Sequence, residues 1–359
     1  MSNLDELKNQ LQQASKGYHL DTIGNIGDPD WFSAPAYDLN RILSGSLYYS
    51  VPTRNHTGLV GPETSGKSSI MALLLADAQQ KGYLPVVIDA EGSWEPKFVE
   101  RWGMDPDSVI RVPSMWVEDI QVHLTRWIKK DMKNLAIAVD SLGALEQKKM
   151  VEDGDQGDVK ADQGRLQKEI KRMLKMIVDL TKFHDCVSFS AGHYYGSPGE
   201  YGSPEQIGGG KYFRLSCDNI VTLKKSEVYE NPNAKKKAEK GKIIGTQITA
   251  ATLKNRNYPP FQEATVKIDF QSGVDKLAGI IPLAKDMGLI SVNGSWFTCK
   301  SLDVKVQGES QFNEKLKTID PQPLLDDIEE KLKSTGYSSV NMELQKEEYY
   351  SDESNPEDV

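Results

Sequence analysis

Residues 61–68 read GPETSGKS, a full match to G-x-x-x-x-G-K-[ST]. Glycines at this spacing let the backbone curl into a nest of N–H groups, and a nest that opens a helix binds phosphate. Gly61, Pro62, Glu63, Thr64, Ser65, Gly66, Lys67, Ser68 and Ser69 are thus the expected nucleotide-phosphate residues. Lys67 brings a mobile positive charge and Ser68 a hydroxyl ligand for Mg²⁺. Asp140 closes the apolar run LAIAVD, a position from which a carboxylate orders the Mg²⁺ shell, mostly through water. No acidic residue directly follows it, so a base for water attack on the γ-phosphate must come from elsewhere. The run VVIDAE offers Glu91, which is the expected general base.

These residues need a scaffold that gathers strand ends. From Leu59 onward, short apolar runs alternate with amphipathic helical stretches: LVGP into SSIMALLLADAQQ, then YLPVVIDAE, VEDIQVHLTRWIKKDM and LAIAVDSLGAL. That alternation predicts βαβ units and an α/β fold with a mostly parallel twisted sheet flanked by helices, in which ligands collect at the carboxyl ends of strands. A long helix is expected from about Gln163 to His184, followed by the strand CVSFSAGH. NIVTLKK, TQITAATLKN and ATVKIDF read as an antiparallel extension, with KKKAEKGK between the first two as a polar hairpin or insertion. Residues 1–35 are read as a short helix and linker, and 36–278 as the ATPase core. Residues 279–341 are read as a small C-terminal segment with a helix at LLDDIEEKLKS, and 342–359 as a disordered acidic tail. Exposed loops are expected over 152–164 and over the Gly/Ser/Pro-rich 194–210, where Tyr201 is a lone aromatic suited to stacking on a base.

The chain has 359 residues and a net charge of -9, which argues at first against a polyanionic partner. The last 17 residues hold seven acidic residues and one lysine, however, and supply much of that excess. No apolar run approaches the ~20 residues that span a bilayer, and no secretory signal opens the chain, so a cytoplasmic location without membrane contact is expected. Cys186, Cys217 and Cys299 are too scattered for a disulfide framework or a zinc site.

Taken together, GPETSGKS, VIDAEGSWEP, IAVDSLGAL, SAGHYYGSPGEYGSPEQIGGGKYF and TLKNRNYPPF resemble the RecA family of recombinases, from roughly Leu39 to Lys333. The resemblance implies a RecA-type core using ATP and Mg²⁺. It also implies DNA-stimulated hydrolysis, helical head-to-tail filaments on single-stranded DNA, and homologous pairing and strand exchange with double-stranded DNA. Glu95 and Phe98 fall where the family contacts adenine, and His193 where its polar sensor touches the γ-phosphate. A histidine there is closer to the UvsX-type phage proteins, which would place the protein in a host cell's cytoplasm. Tyr201, Gly208, Gly209, Gly210, Lys211 and Arg214 fall in or beside the DNA loop. Lys254 and Arg256, which alternate along an expected strand edge, would reach the γ-phosphate held by the neighbouring subunit. A single-strand-binding protein and a loader are further implied partners. Two alternatives stand beside this reading: a hexameric RecA-fold DNA motor or helicase, which shares these motifs, and a non-catalytic mediator of recombination, whose expected signature of a broken phosphate loop or missing glutamate is absent from this sequence.

Overall fold

The computed structural model describes residues 3–16, 23, 26–148, 163–193, 210–231 and 240–335. The chain divides into two compact units, Met1–Asp30 and Trp31–Val359. In the first, Asn3–Ala14 is helical, with Asp5 and Glu6 in its first turn and with Leu7 and Leu11 exposed.

The second unit is built on a twisted sheet. Its strands are β1 (His56–Gly61), β2 (Leu84–Asp89), β3 (Ile110–Val112), β4 (Leu135–Asp140) and β5 (Val187–His193). They continue with β6 (Asn219–Tyr229), β7 (Ile243–Lys254), β8 (Glu263–Asp269) and β9 (Gly273–Asp275). Among the described residues the order is β3-β2-β4-β5-β1-β6-β7-β8-β9. Pairing is parallel from β3 through β6 and antiparallel from β6 to β9. The parallel strands β1 and β4 are buried along their whole length; β4 accordingly reads as an apolar run up to Asp140, whereas β1 opens with the buried polar residues His56 and Thr57.

Successive residues on these strands feed opposite cores. Val87, Ala136 and Ala138 face the cluster built on the Lys67–Gln80 helix. Val86, Ile88, Ile137 and Val139 face the cluster built on the Val117–Lys129 and Gln163–Phe183 helices. Alanines on the first face leave room for the helix that follows the phosphate loop. On the second face the Gly210–Ser216 helix lies so close to β1 that a Cβ on Gly58 would sit 2.6 Å from Phe213 Cζ.

The C-terminal stretch adds its own small core. The Ile280–Asp286 helix leads into an antiparallel meander of β10 (Ile290–Asn293), β11 (Trp296–Cys299) and β12 (Val304–Gln307). Helices Glu309–Thr318 and Gln322–Ser334 cover it through Phe312, Leu324 and Ile328. The buried Glu329 carboxylate ties this layer to the core, accepting from Ser46 Oγ and Leu47 N, each at 2.8 Å. The three cysteines are free and buried, and no described helix is long and apolar enough to cross a membrane.

Candidate active site

The carboxyl ends of four adjacent parallel strands meet here. Gly61 is in register with His193 across β1 and β5, and Asp89 with Asp140 across β2 and β4. At Gly61 a Cβ would lie 2.6 Å from the Leu223 carbonyl oxygen, so only glycine lets the phosphate loop leave the sheet this close to β6. Gly66, at φ 95°, sets the loop against the start of the Lys67–Gln80 helix, and a Cβ there would strike Ile248 Cδ1 at 2.4 Å. Lys67 Nζ donates to the carbonyl oxygens of Gly61 at 3.1 Å and Pro62 at 2.8 Å. Burial pushes its pKa below the usual lysine range, against the opposing pull of Asp140, Glu91 and Glu63.

Two aspartates at neighbouring strand ends have different work. Asp89, whose side chain is fully buried, accepts from Ser93 N at 3.0 Å, Trp94 N at 3.1 Å and Arg111 Nε at 2.7 Å. It thereby shapes the turn that carries Glu91 and Trp94. Trp94 in turn donates its indole N–H to Asp140 Oδ2 at 2.9 Å. Burial raises the Asp140 pKa above the usual carboxylate range, while hydrogen bonds from Ser68 and Trp94 pull it back down. Glu91 Oε1 accepts from Ser141 Oγ and lies 3.7 Å from His193 Nε2, and Ser141 Oγ is 3.4 Å from the same nitrogen. Gly143 leaves space for that imidazole, since a Cβ there would sit 2.7 Å from His193 Cδ2.

Gly66, Lys67, Glu91, Asp140, Gly143 and His193 line a cleft of about 580 Å³, with Glu63, Thr64, Ser65, Ser68, Ser69, Ala144 and Lys225 completing its walls. The residues fit a nucleoside triphosphate and Mg²⁺. The loop bends around glycines whose added Cβ atoms would collide with neighbours, and Ser65 Oγ is buried with no hydrogen-bond partner among the described residues. Ser68 and Asp140, which line the cleft together, are an oxygen pair suited to a hard divalent cation.

Other sequence-derived candidates lie elsewhere. Glu95 precedes the Pro96–Arg101 helix and is exposed. Phe98 packs edge-on against Trp94 at 5.1 Å and against Trp102 at 6.2 Å, and neither residue lines the cleft. Lys254 pairs with Ile220 near the start of β6, at the opposite end of the parallel strands from the phosphate loop. Its Nζ donates to Arg214 O at 3.0 Å and to Cys217 O, and burial lowers its pKa. β7 ends at Lys254, so Arg256 lies beyond the strand instead of alternating along it. The turn is set by Asn255, whose amide donates to the carbonyls of Ile42 and Leu43. Arg256 still reaches the same corner, with Nη1 3.0 Å from Asp218 Oδ1. Gly210, Lys211 and Arg214 belong to the Gly210–Ser216 helix, with both basic side chains exposed. Tyr201, Gly208 and Gly209, the 152–162 and 194–209 parts of the expected loops, and the acidic tail lie outside the described residues.

Fold and loop together define a class: an α/β protein with a P-loop at the end of a central parallel strand. Residues 7–275 match the family model described as the RecA N-terminal domain. Protein RecA of Rickettsia bellii is 27% identical, covering 98% of this chain and all of its own length. Protein RecA of Rickettsia africae is 28% identical over 97% of this chain and 99% of its own. The mitochondrial DNA repair protein recA homolog of Dictyostelium discoideum is 30% identical over 91% of this chain and 70% of its own. The chain belongs to the RecA family of recombination proteins.

Proposed function

We propose that this protein is an ATP-dependent recombinase that forms head-to-tail helical filaments on single-stranded DNA and catalyses homologous pairing and strand exchange. DNA-stimulated ATP hydrolysis accompanies that activity. The observation that carries the reading is the separation of two half-sites. The P-loop cleft lies at one end of the parallel strands, and Lys254 and Arg256 lie at the other, outside the cleft lining and bound to Arg214 O, Cys217 O and Asp218. A heterologous contact that repeats from subunit to subunit would bring the two ends together, and an open repeat of that kind is a helical filament.

In this reading the loop amides, Ser65 and Lys67 bind the phosphates, and Ser68 with Asp140 holds Mg²⁺, which when bound neutralises phosphate charge. Glu91 takes the proton of the attacking water, with Ser141 orienting its carboxylate. His193, 3.7 Å from Glu91, ends β5 and leads into residues 194–209, a position from which it can report the state of the γ-phosphate. Glu95 and Phe98 are proposed for the adenine, and Tyr201, Gly208, Gly209, Gly210, Lys211 and Arg214 for DNA. Residues 1–35 serve as the polymerisation arm, and the histidine at 193 favours a UvsX-type phage protein acting in a host cytoplasm.

Mixing two inactive variants tests the shared site. Lys67→Ala loses the phosphate lysine, and Lys254→Ala/Arg256→Ala loses the reaching residues. In an equal mixture with DNA and ATP, about a quarter of randomly formed junctions would pair an intact loop with intact basic residues. Partial ATPase activity is expected to return, and co-assembly with no activity would overturn the shared site.

A further inference from the structure

A second lysine stands in the phosphate cleft, and the motifs do not account for it. Lys225 lies on β6 directly opposite Ile248 of β7, and residues facing each other on an antiparallel pair project from the same side of the sheet. The Ile248 side chain packs onto the phosphate loop at Gly66. The stem of Lys225 therefore runs along the face that carries the Lys67–Gln80 helix, and the residue lines the cleft together with Glu63, Thr64 and Lys67. Glu91, Asp140 and His193 line the same cleft from the ends of β2, β4 and β5.

Charge makes this position consequential. Three carboxylates line the cleft, Glu63, Glu91 and Asp140, and Lys67 is the motif's single answer to them. Before Mg²⁺ is counted, the side chains of this wall present three negative charges and one positive charge, an excess that opposes a polyphosphate. Lys225 reduces that excess to one. Its neighbour Lys224, one residue earlier on the strand, projects to the other face and has no such position.

We propose that Lys225 is a second phosphate-binding lysine, contacting in cis the phosphate chain held by the loop of its own subunit. The proposal rests on the nucleotide reading of the cleft. It adds a contact supplied by the β6–β7 strand pair, outside the P-loop and its helix. The same strand pair ends at Lys254, so the phosphate contact of one subunit and the reaching residue toward the next are carried on one rigid element.

The test is binding of a fluorescent, non-hydrolysable ATP analogue with Mg²⁺ to the full chain at low and high salt. The proteins compared are wild type, Lys225→Met, Lys225→Arg, Lys224→Met and Lys67→Ala, each checked for an unchanged melting temperature. Lys225→Met is expected to weaken binding about tenfold at low salt, the scale of one partly exposed charge-assisted contact. The difference should narrow as salt rises, Lys225→Arg should restore most of the affinity, and Lys224→Met should bind as wild type. Wild-type affinity in Lys225→Met alongside lost binding in Lys67→Ala would overturn the role of Lys225 and leave the cleft standing. Equal losses in Lys224→Met and Lys225→Met would reduce the effect to the general field and also overturn it. Wild-type affinity in Lys67→Ala would overturn the nucleotide reading itself.

Discussion

Replacing Asp89 by asparagine should damage catalysis without touching any group that meets the nucleotide. The carboxylate is fully buried and satisfies three donors: Ser93 N, Trp94 N and Arg111 Nε. An asparagine keeps one acceptor oxygen, enough for Ser93 N, and turns its NH₂ toward the other two donors. Trp94 N–H, buried at the start of the indole's backbone, is then left unsatisfied at a cost of about 1–3 kcal/mol. The Arg111 side chain is 43% exposed, so the lost ion pair is screened and adds no more than about 1 kcal/mol. Together the loss is about 1–4 kcal/mol. The turn that slackens carries both Glu91 and the indole that donates to Asp140, so turnover should fall about tenfold or more, a fraction of what general-base catalysis supplies. Affinity for an ATP analogue should change much less, because the phosphate loop hangs from β1. Denaturant titration, phosphate release with DNA present and analogue binding measure the three effects. A stability loss under about 1 kcal/mol with unchanged turnover would refute the role given to Asp89.

Three further outcomes follow from the geometry. Glu91→Gln can still accept from Ser141 but cannot act as a base, so turnover measured by phosphate release should drop ~100-fold or more while nucleotide-dependent assembly, read by light scattering, persists. Gly66→Ala puts a Cβ 2.4 Å from Ile248 Cδ1 at φ 95°, and should cost about 1–3 kcal/mol in denaturation and abolish analogue binding. His56 is wholly buried and burial lowers its pKa to about 4, so the folded protein binds the imidazole proton more weakly than the unfolded chain. Its contribution is complete above pH 6.5 and is lost as pH falls from 6.5 toward 4, about 3 kcal/mol at 1.36 kcal/mol per pH unit. Denaturation midpoints from pH 7.5 to 4.5 should therefore fall less steeply in His56→Asn than in wild type, and parallel curves would contradict the assignment.

Much of the scaffold was legible because parallel strands buried on both faces write themselves as apolar runs, as LAIAVD and VVID do. The phosphate loop was legible because glycine spacing is a backbone requirement that no other residue meets. The support around it was not. Ser141 and Trp94 act through single hydrogen bonds to Glu91 and Asp140, contacts made across 46 to 50 residues of chain, and nothing local marks them. Lys225 stands beside Lys224 with nothing local to distinguish the two, and only the register of β6 against β7 turns it toward the cleft. The meander β10–β12 escaped for a different reason: strands of four residues with partly exposed faces carry too little alternation to stand out. At Lys254 and Arg256 an even spacing read as strand alternation, but Asn255 bends the chain to cap the Tyr37–Ser44 helix and ends β7 there.

The central claim is that nucleotide binding joins the two ends of this subunit into an open helical polymer on single-stranded DNA. Negative-stain electron microscopy of the full chain with Mg²⁺, a non-hydrolysable ATP analogue and long single-stranded DNA tests it directly. Continuous helical filaments that follow the DNA, and that Lys254→Ala/Arg256→Ala fails to form, are the predicted result. Closed rings, or isolated subunits on the DNA with the analogue bound, would contradict it.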